Sequence, residues 1–282
     1  MVINNISSEG YVLVIDSGNG GKYTLKKIQR LMPLENYIYV EDDKNCPYGS
    51  KNRQKLKKIS KKLIKTLLSI YPIKLVVLAC NTLSSACYDY LKSKFIGIKI
   101  IPTLPVFKDF KKNTLIMCTN ATKKYNGNLT RYKNNSKVFV EGFSCLAKQI
   151  DENFENLDVL QPILDKKLKK YVQMHINNVV LGCTHFNYIK TQIAKSLIKN
   201  PEEKYVKLSK CATNKLLKTS DGNACQTVIL TKKTRQLNFY EPSLLVAKQV
   251  KEFLTQNKLV CSNKYPTAVI YLKTSEMPFL AL

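Results

Sequence analysis

One short pattern occurs twice, and it constrains the fold more than any other feature of the chain. Val76-Val77-Leu78-Ala79-Cys80 runs into Asn81-Thr82, and Val179-Val180-Leu181-Gly182-Cys183 runs into Thr184-His185. Each copy is an apolar run, a small residue, a cysteine and a threonine-bearing turn. Short apolar runs bounded by turn residues read as buried strands. Such strands belong to parallel sheets covered by helices on both faces. A duplicated α/β unit with one cysteine at each strand end follows.

The flanking sequence agrees. Residues 11–15, 37–40, 75–78 and 98–101 read as strands in the first half. Between them, Leu25, Ile28 and Leu31 recur at helical spacing, Leu56, Ile59, Leu63, Ile64 and Leu67 mark a basic amphipathic helix, and a further helix reaches about Lys94. Strands separated by helices imply a parallel α/β sheet. Pro102 and Pro105 suggest a crossing between domains. A second series follows: strands near Leu115, at 138–140 and at 179–181, with helices over about 143–171. Beyond Pro201, strands are expected at 205–208, 227–230 and 237–240, then a helix over 244–254. The lysine- and threonine-rich stretch 207–233 has the least defined boundaries, and residues 261–282 stay unassigned.

Composition narrows the function. The chain has 282 residues, 44% of them hydrophobic, enough for one large domain or two modest ones. No stretch approaches the length needed to span a bilayer, and the first ten residues lack a signal-peptide layout, so a cytoplasmic protein without a membrane partner is expected. The nine cysteines are widely spaced, form no C-x-x-C pair and are odd in number, which argues against a disulfide framework or a zinc site. Histidine occurs only as His175 and His185, so no metal is expected. The formal charge is +26 and is carried by lysine; arginine appears only at positions 30, 53, 131 and 235. Base reading leans on arginine forks. An AT-rich genome accounts for abundant Lys, Asn and Ile; the functional readings are weak, nonspecific nucleic-acid contact and a field that draws in a small anion.

The chemistry sits at the strand ends. Ligands of open α/β sheets bind beyond the carboxyl ends of the strands, where Cys80 and Cys183 both fall. Helix-start N–H groups can hold an anion or lower a thiol pKa, and Ala79 and Gly182 leave room beside each sulfur. Two facing thiols suit racemisation at an amino-acid α-carbon: a thiolate takes the proton from one face and a thiol returns one to the other. The developing charge on the carboxylate needs positioned donors, which Asn81, Thr82 and Thr184 can supply. His185 can tune Cys183. Asp16-Ser17-Gly18-Asn19-Gly20-Gly21 follows the first strand; its glycines let the backbone approach an anion. It is neither a P-loop nor a dinucleotide fingerprint. Asp16 can face a substrate ammonium and Ser17 a carboxylate. Pro47-Tyr48-Gly49 forms a second loop at the same sheet edge.

Taken in order, Asp16-Ser17-Gly18-x-Gly20-Gly21, Pro47-Tyr48-Gly49, Ala79-Cys80-Asn81-Thr82-x-Ser84 and Gly182-Cys183-Thr184-His185 resemble the motif set of glutamate racemases, over about residues 11–255. The resemblance implies two pseudo-symmetric α/β domains with mostly parallel sheets and the active site between them. Residues 1–102 with about 209–260 would form the first domain and about 103–208 the second. It implies interconversion of L- and D-glutamate without pyridoxal phosphate or any other cofactor, feeding cell-wall synthesis, and a possible homodimer. Cys80 and Cys183 would be the acid–base pair, assisted by Asp16, His185 and an acidic residue matched loosely by Glu152. Ser17, Tyr48, Gly49, Asn81, Thr82, Thr122 and Thr184 would contact substrate. The chain departs from the family pattern at Asn19, Asn45, Leu104, Ser144-Cys145, Tyr125 and Phe186-Asn187. Rival expectations are action on aspartate or another small carboxylate, and a noncatalytic basic binding protein built on the same fold.

Overall fold

The computed structural model describes residues 6–106, 111–132, 134–198, 217–218, 224–228 and 237–277. In chain order the elements are β1 (Tyr11–Asp16), α1 (Gly21–Leu31), β2 (Asn36–Glu41), α2 (Arg53–Ile70), β3 (Ile73–Leu78), α3 (Asn81–Lys94) and β4 (Lys99–Pro102). They continue with β5 (Thr114–Thr119), α4 (Asn120–Tyr125), β6 (Val138–Phe143), α5 (Leu146–Glu152), α6 (Gln161–Val172), β7 (Asn178–Gly182) and α7 (Lys190–Leu197). The last are β8 (Leu217–Lys218), β9 (Ala224–Val228), β10 (Leu237–Tyr240), α8 (Pro242–Gln256) and β11 (Ile270–Lys273).

Two sheets form, as expected. The first has strand order β11-β2-β1-β3-β4 and every pair in it is parallel. Side chains alternate between its faces. Leu13, Ile15, Ile38, Val40, Val76 and Leu78 pack with α2 and α3, while Val12, Val14, Tyr37, Tyr39, Leu75 and Val77 pack with α1 and α8. Burial on both faces explains why β1 and β3 read as unbroken apolar runs. The second sheet has order β6-β5-β7-β10-β9-β8, parallel through β10 and antiparallel beyond it. Leu115, Met117, Val179, Leu181 and Phe239 face α5, α6 and α7. Ile116, Cys118 and Val180 face the turn around Leu129 and Tyr132.

The expected domain boundaries need correcting at the C-terminal end. Strand β10 lies within the 209–260 piece assigned to the first domain, yet it pairs with β7 in the second sheet. Its sequence, Leu-Asn-Phe-Tyr, buries Leu237 and Phe239 in the second core. The chain returns to the first unit only at α8, whose Val246, Ala247, Val250 and Leu254 pack on the first sheet. Residues 261–282, unassigned from sequence, contain β11, which extends the first sheet parallel to β2. The strand expected at 205–208 lies outside the described residues. The one expected at 227–230 is β9, displaced toward the N-terminus, with residues 229–230 outside them.

Both sheets reverse winding direction at matching places. From β1 the first sheet grows outward to β2, then back across β1 to β3; from β5 the second grows to β6, then back to β7. Loops at such a switch point diverge and leave a crevice at the carboxyl ends of the strands. Asp16 ends β1, Cys80 follows β3, Thr119 ends β5 and Cys183 follows the end of β7.

Candidate active site

The two crevices meet. One cavity of about 30 Å³ is lined by Cys80, Cys183, Ser17, Tyr48, Gly49, Asn81, Thr82, Thr184 and His185 from the expected set, joined by Cys46, Thr119, Ser144, Lys148 and Asp151. A space of that size holds about two waters. A larger cleft of about 420 Å³ lies between β4, Leu104 and α8, but its lining contains no cysteine or histidine. The thiol and imidazole groups gather in the smaller space.

Cys80 caps the start of α3 and is buried. Its sulfur lies 3.9 Å from Ser17 Oγ. Burial above all, and then the nearby Asp16 carboxylate, push its thiol well above the usual range, so it rests protonated. Cys183 is also buried, and its sulfur is 3.9 Å from His185 Nδ1. The opposite ring nitrogen of His185 meets Asp151 Oδ2 at 2.9 Å. Burial opposes charge on this imidazole, but Asp151 and Cys183 together outweigh burial and hold it well above the ordinary histidine range. One thiol thus faces buried negative charge and the other faces an imidazolium.

Asp16 ties the two halves together. Its Oδ1 accepts from Gly18 N at 3.2 Å and from Ser17 Oγ at 3.4 Å, and its Oδ2 accepts from Thr184 Oγ1, across the crevice, at 3.3 Å. Burial raises its pKa to about 6, against the pull of His185 and three hydrogen-bonding groups. The glycine loop is closed onto the other unit. A Cβ on Gly20 would stand 2.5 Å from Thr184 Oγ1 and 2.6 Å from His185 Nδ1, so only glycine fits there. Gly182 has a different reason. Its missing Cβ would meet Cys118 Cβ at 2.9 Å and Pro105 Cβ at 3.1 Å, so its smallness admits neighbouring chain rather than a ligand, contrary to the expectation from sequence.

Four expected residues sit differently. Glu152 is exposed and pairs with Lys148 Nζ at 3.5 Å on the outside of α5. Asp151 holds the histidine instead, because one step along a helix turns a side chain by about 100°. Thr122 is buried behind the cavity: Thr119 Oγ1 bridges it at 2.9 Å to Thr82 Oγ1 at 2.8 Å, and Thr119 and Thr82 reach the cavity while Thr122 does not. Tyr48 lines the cavity, but its hydroxyl points inward and donates to Asp42 Oδ2 at 2.5 Å. Asn81 is likewise tethered, its amide donating to Thr103 O at 3.1 Å.

Sequence reasoning passed over Cys46, Asp151 and Thr119. Cys46 immediately precedes the Pro-Tyr-Gly loop, and that position was the only signal. Burial and then the charges of Asp151 and Asp16 push its thiol up to about 12, so it is neutral.

No family model matches the chain. Among curated proteins, the glutamate racemase of Clostridium botulinum is 36% identical over 193 residues, covering 66% of this chain and 74% of its own length. That of Clostridium novyi is 34% identical over 190 residues, covering 64% and 73%. Among solved structures, glutamate racemase from Francisella tularensis in complex with D-glutamate superposes with a TM-score of 0.73 at 24% identity, covering 95% of this chain and 89% of that one. A glutamate racemase isoform from Bacillus anthracis gives 0.71 at 20% identity, covering 94% and 88%. The structural likeness establishes the shared fold, and the sequence likeness places the chain among the amino-acid racemases. It belongs to the glutamate racemase family.

Proposed function

We propose that this chain interconverts L- and D-glutamate, with Cys80 and Cys183 as the acid–base pair and no cofactor. One observation carries the reading: two strand-end cysteines from two separate sheets line one cavity together with hydroxyl, amide and imidazole groups. The α-carbon would lie between the sulfurs. In one direction Cys183, beside the His185 imidazolium, acts as thiolate and takes the α-proton while Cys80, held protonated, delivers a proton to the opposite face. The return reaction exchanges the roles. Charge that develops on the substrate carboxylate would be met by Ser17, Asn81, Thr82, Thr119 and Thr184, whose side chains now bond to one another, to Asp16 and to Thr103 O and would turn to the substrate. Asp16 does not line the cavity but lies fully buried behind Ser17 and Thr184, from where its charge offsets the substrate ammonium, and Asp151 keeps His185 charged and oriented.

The cavity is narrow and lies between the two units, and in this reading the units part to admit substrate and close over it, which excludes water from the acid–base step. The residues that cross the crevice, Asp16 to Thr184 and Gly20 against His185, are the contacts broken and remade. Among the described residues no helix is long and apolar enough to cross a membrane. We place the enzyme in the cytoplasm, supplying D-glutamate for cell-wall synthesis. The test is incubation of purified protein with L-glutamate and, separately, L-aspartate, without added cofactor, while optical rotation is followed. Decay of the glutamate signal to zero with little change for aspartate is expected. Selective racemisation of aspartate overturns the substrate assignment, and no racemisation of either overturns the function.

A further inference from the structure

The catalytic reading leaves the charge of +26 unused. The charge is not spread evenly. From Lys44 to Tyr88 the chain contains no Asp or Glu, and from Phe110 to Val140 it again contains none. The fold brings these two acid-free stretches side by side. Arg53, at the start of α2, donates from Nη2 to Tyr125 O at 3.1 Å and lies 4.9 Å from the centre of the Tyr125 ring, with Lys124 Nζ 5.6 Å from the same centroid.

Helix α2 displays the charge in a stripe. Lys55, Lys58, Lys61 and Lys65 are all exposed. At about 100° per residue they share one arc opposite the buried Leu56, Ile59, Leu63, Ile64 and Leu67, and they span about 15 Å of helix axis. Among the described residues no ion pair joins any of these four to a carboxylate. The helix packed beside it, α3, carries one acid, the exposed Asp89.

We propose that this face, running from the lysine stripe of α2 through Arg53 to Lys124, binds the phosphate backbone of duplex nucleic acid without reading its sequence. Charge complementarity selects a polyanion. A bilayer fits less well, because the apolar side of α2 is turned into the core and leaves only Ile70, 48% exposed at the far end, to enter lipid. Ammonium groups act as point charges on phosphate, whereas base edges are read by arginine and amide forks; on this face lysines dominate, with Gln54 the amide on the arc and Arg53 already donating to Tyr125 O. The surface lies outside the catalytic cavity, so the inference does not rest on the racemase reading.

The experiment is fluorescence anisotropy of a labelled duplex DNA of arbitrary sequence, titrated with the whole protein over a range of salt. Two variants are compared. One carries Lys55→Gln, Lys58→Gln, Lys61→Gln and Lys65→Gln; the other removes the same charge from scattered sites through Lys26→Gln, Lys166→Gln, Lys169→Gln and Lys251→Gln. Melting temperature confirms that both fold. Each lost phosphate contact lowers the slope of log K against log salt by about 0.9, so the stripe variant loses about 3.6 and the scattered variant far less. A second, unrelated duplex should bind the wild type equally well. Equal losses in both variants mean that net charge alone acts and overturn the proposal. So does a wild type that ignores DNA, or one that prefers phosphatidylserine-containing vesicles in co-sedimentation.

Discussion

Asp16 should destabilise the protein it serves. Its carboxyl is fully buried and holds its proton to about pH 6, whereas an unfolded aspartate releases it near 3.8. The folded state therefore binds more protons across this window, and stability falls as pH rises from about 4 to about 6. At 1.36 kcal/mol per pH unit the gap corresponds to about 3 kcal/mol once pH exceeds both values. Asp16→Asn removes the ionisation and keeps a carbonyl oxygen to accept from Gly18 N, while Thr184 can turn its hydroxyl to accept from the new amide. The variant should be more stable than wild type by about 1 kcal/mol at pH 4.5 and about 3 kcal/mol at pH 7.5. Urea unfolding of both proteins at the two pH values measures it, and the pH trends of groups not coupled to Asp16 cancel in the difference. Turnover should fall in the same variant, because in the proposed mechanism the charge of Asp16 offsets the substrate ammonium. A variant less stable than wild type at pH 7.5, or an advantage that does not grow with pH, refutes the reasoning.

Two further outcomes follow from contacts around the site. Thr274, in the C-terminal segment, donates to Asp42 Oδ1 at 2.7 Å, and Asp42 in turn receives the Tyr48 hydroxyl; Thr274→Val should cost about 1.5–3 kcal/mol of stability, as loss of a hydrogen bond to a charged group does, and should raise KM more than it lowers kcat, with Thr274→Ser restoring both. Gly20→Ala puts a methyl within 2.5 Å of Thr184 Oγ1, so it should hold the crevice open and cut kcat/KM sharply while the melting temperature moves little, which steady-state kinetics beside a thermal melt would show; wild-type kinetics would contradict the closed arrangement.

The architecture was legible because it rests on period and burial. Runs such as 75–78 and 179–181 are apolar on both faces only if both faces are covered, and the repeated cysteine marked the same position in each unit. What the sequence hid depends on three-dimensional placement. Glu152 and Asp151 are adjacent in the chain, and only the phase of α5 decides which one meets His185. Thr119 and Thr122 fall within one helical turn, and only the packing shows that one reaches the cavity while the other supports it. The assignment of β10 to the second sheet turns on a long-range pairing with β7 that four residues cannot announce. The role of the last segment was hidden for the same reason: Ile270–Lys273 is half exposed at a sheet edge, so its pattern is weak.

The central claim is that two thiols act on opposite faces of one carbon. The most direct measurement is racemisation of L- and of D-glutamate in deuterium oxide by wild type, Cys80→Ala and Cys183→Ala, each checked for folding by circular dichroism. Wild-type product should carry solvent deuterium at the α-carbon from either starting enantiomer. Each alanine variant should stay folded and form no opposite enantiomer, since one face has lost its acid or base. Near-normal racemisation by either folded variant would contradict the two-thiol account.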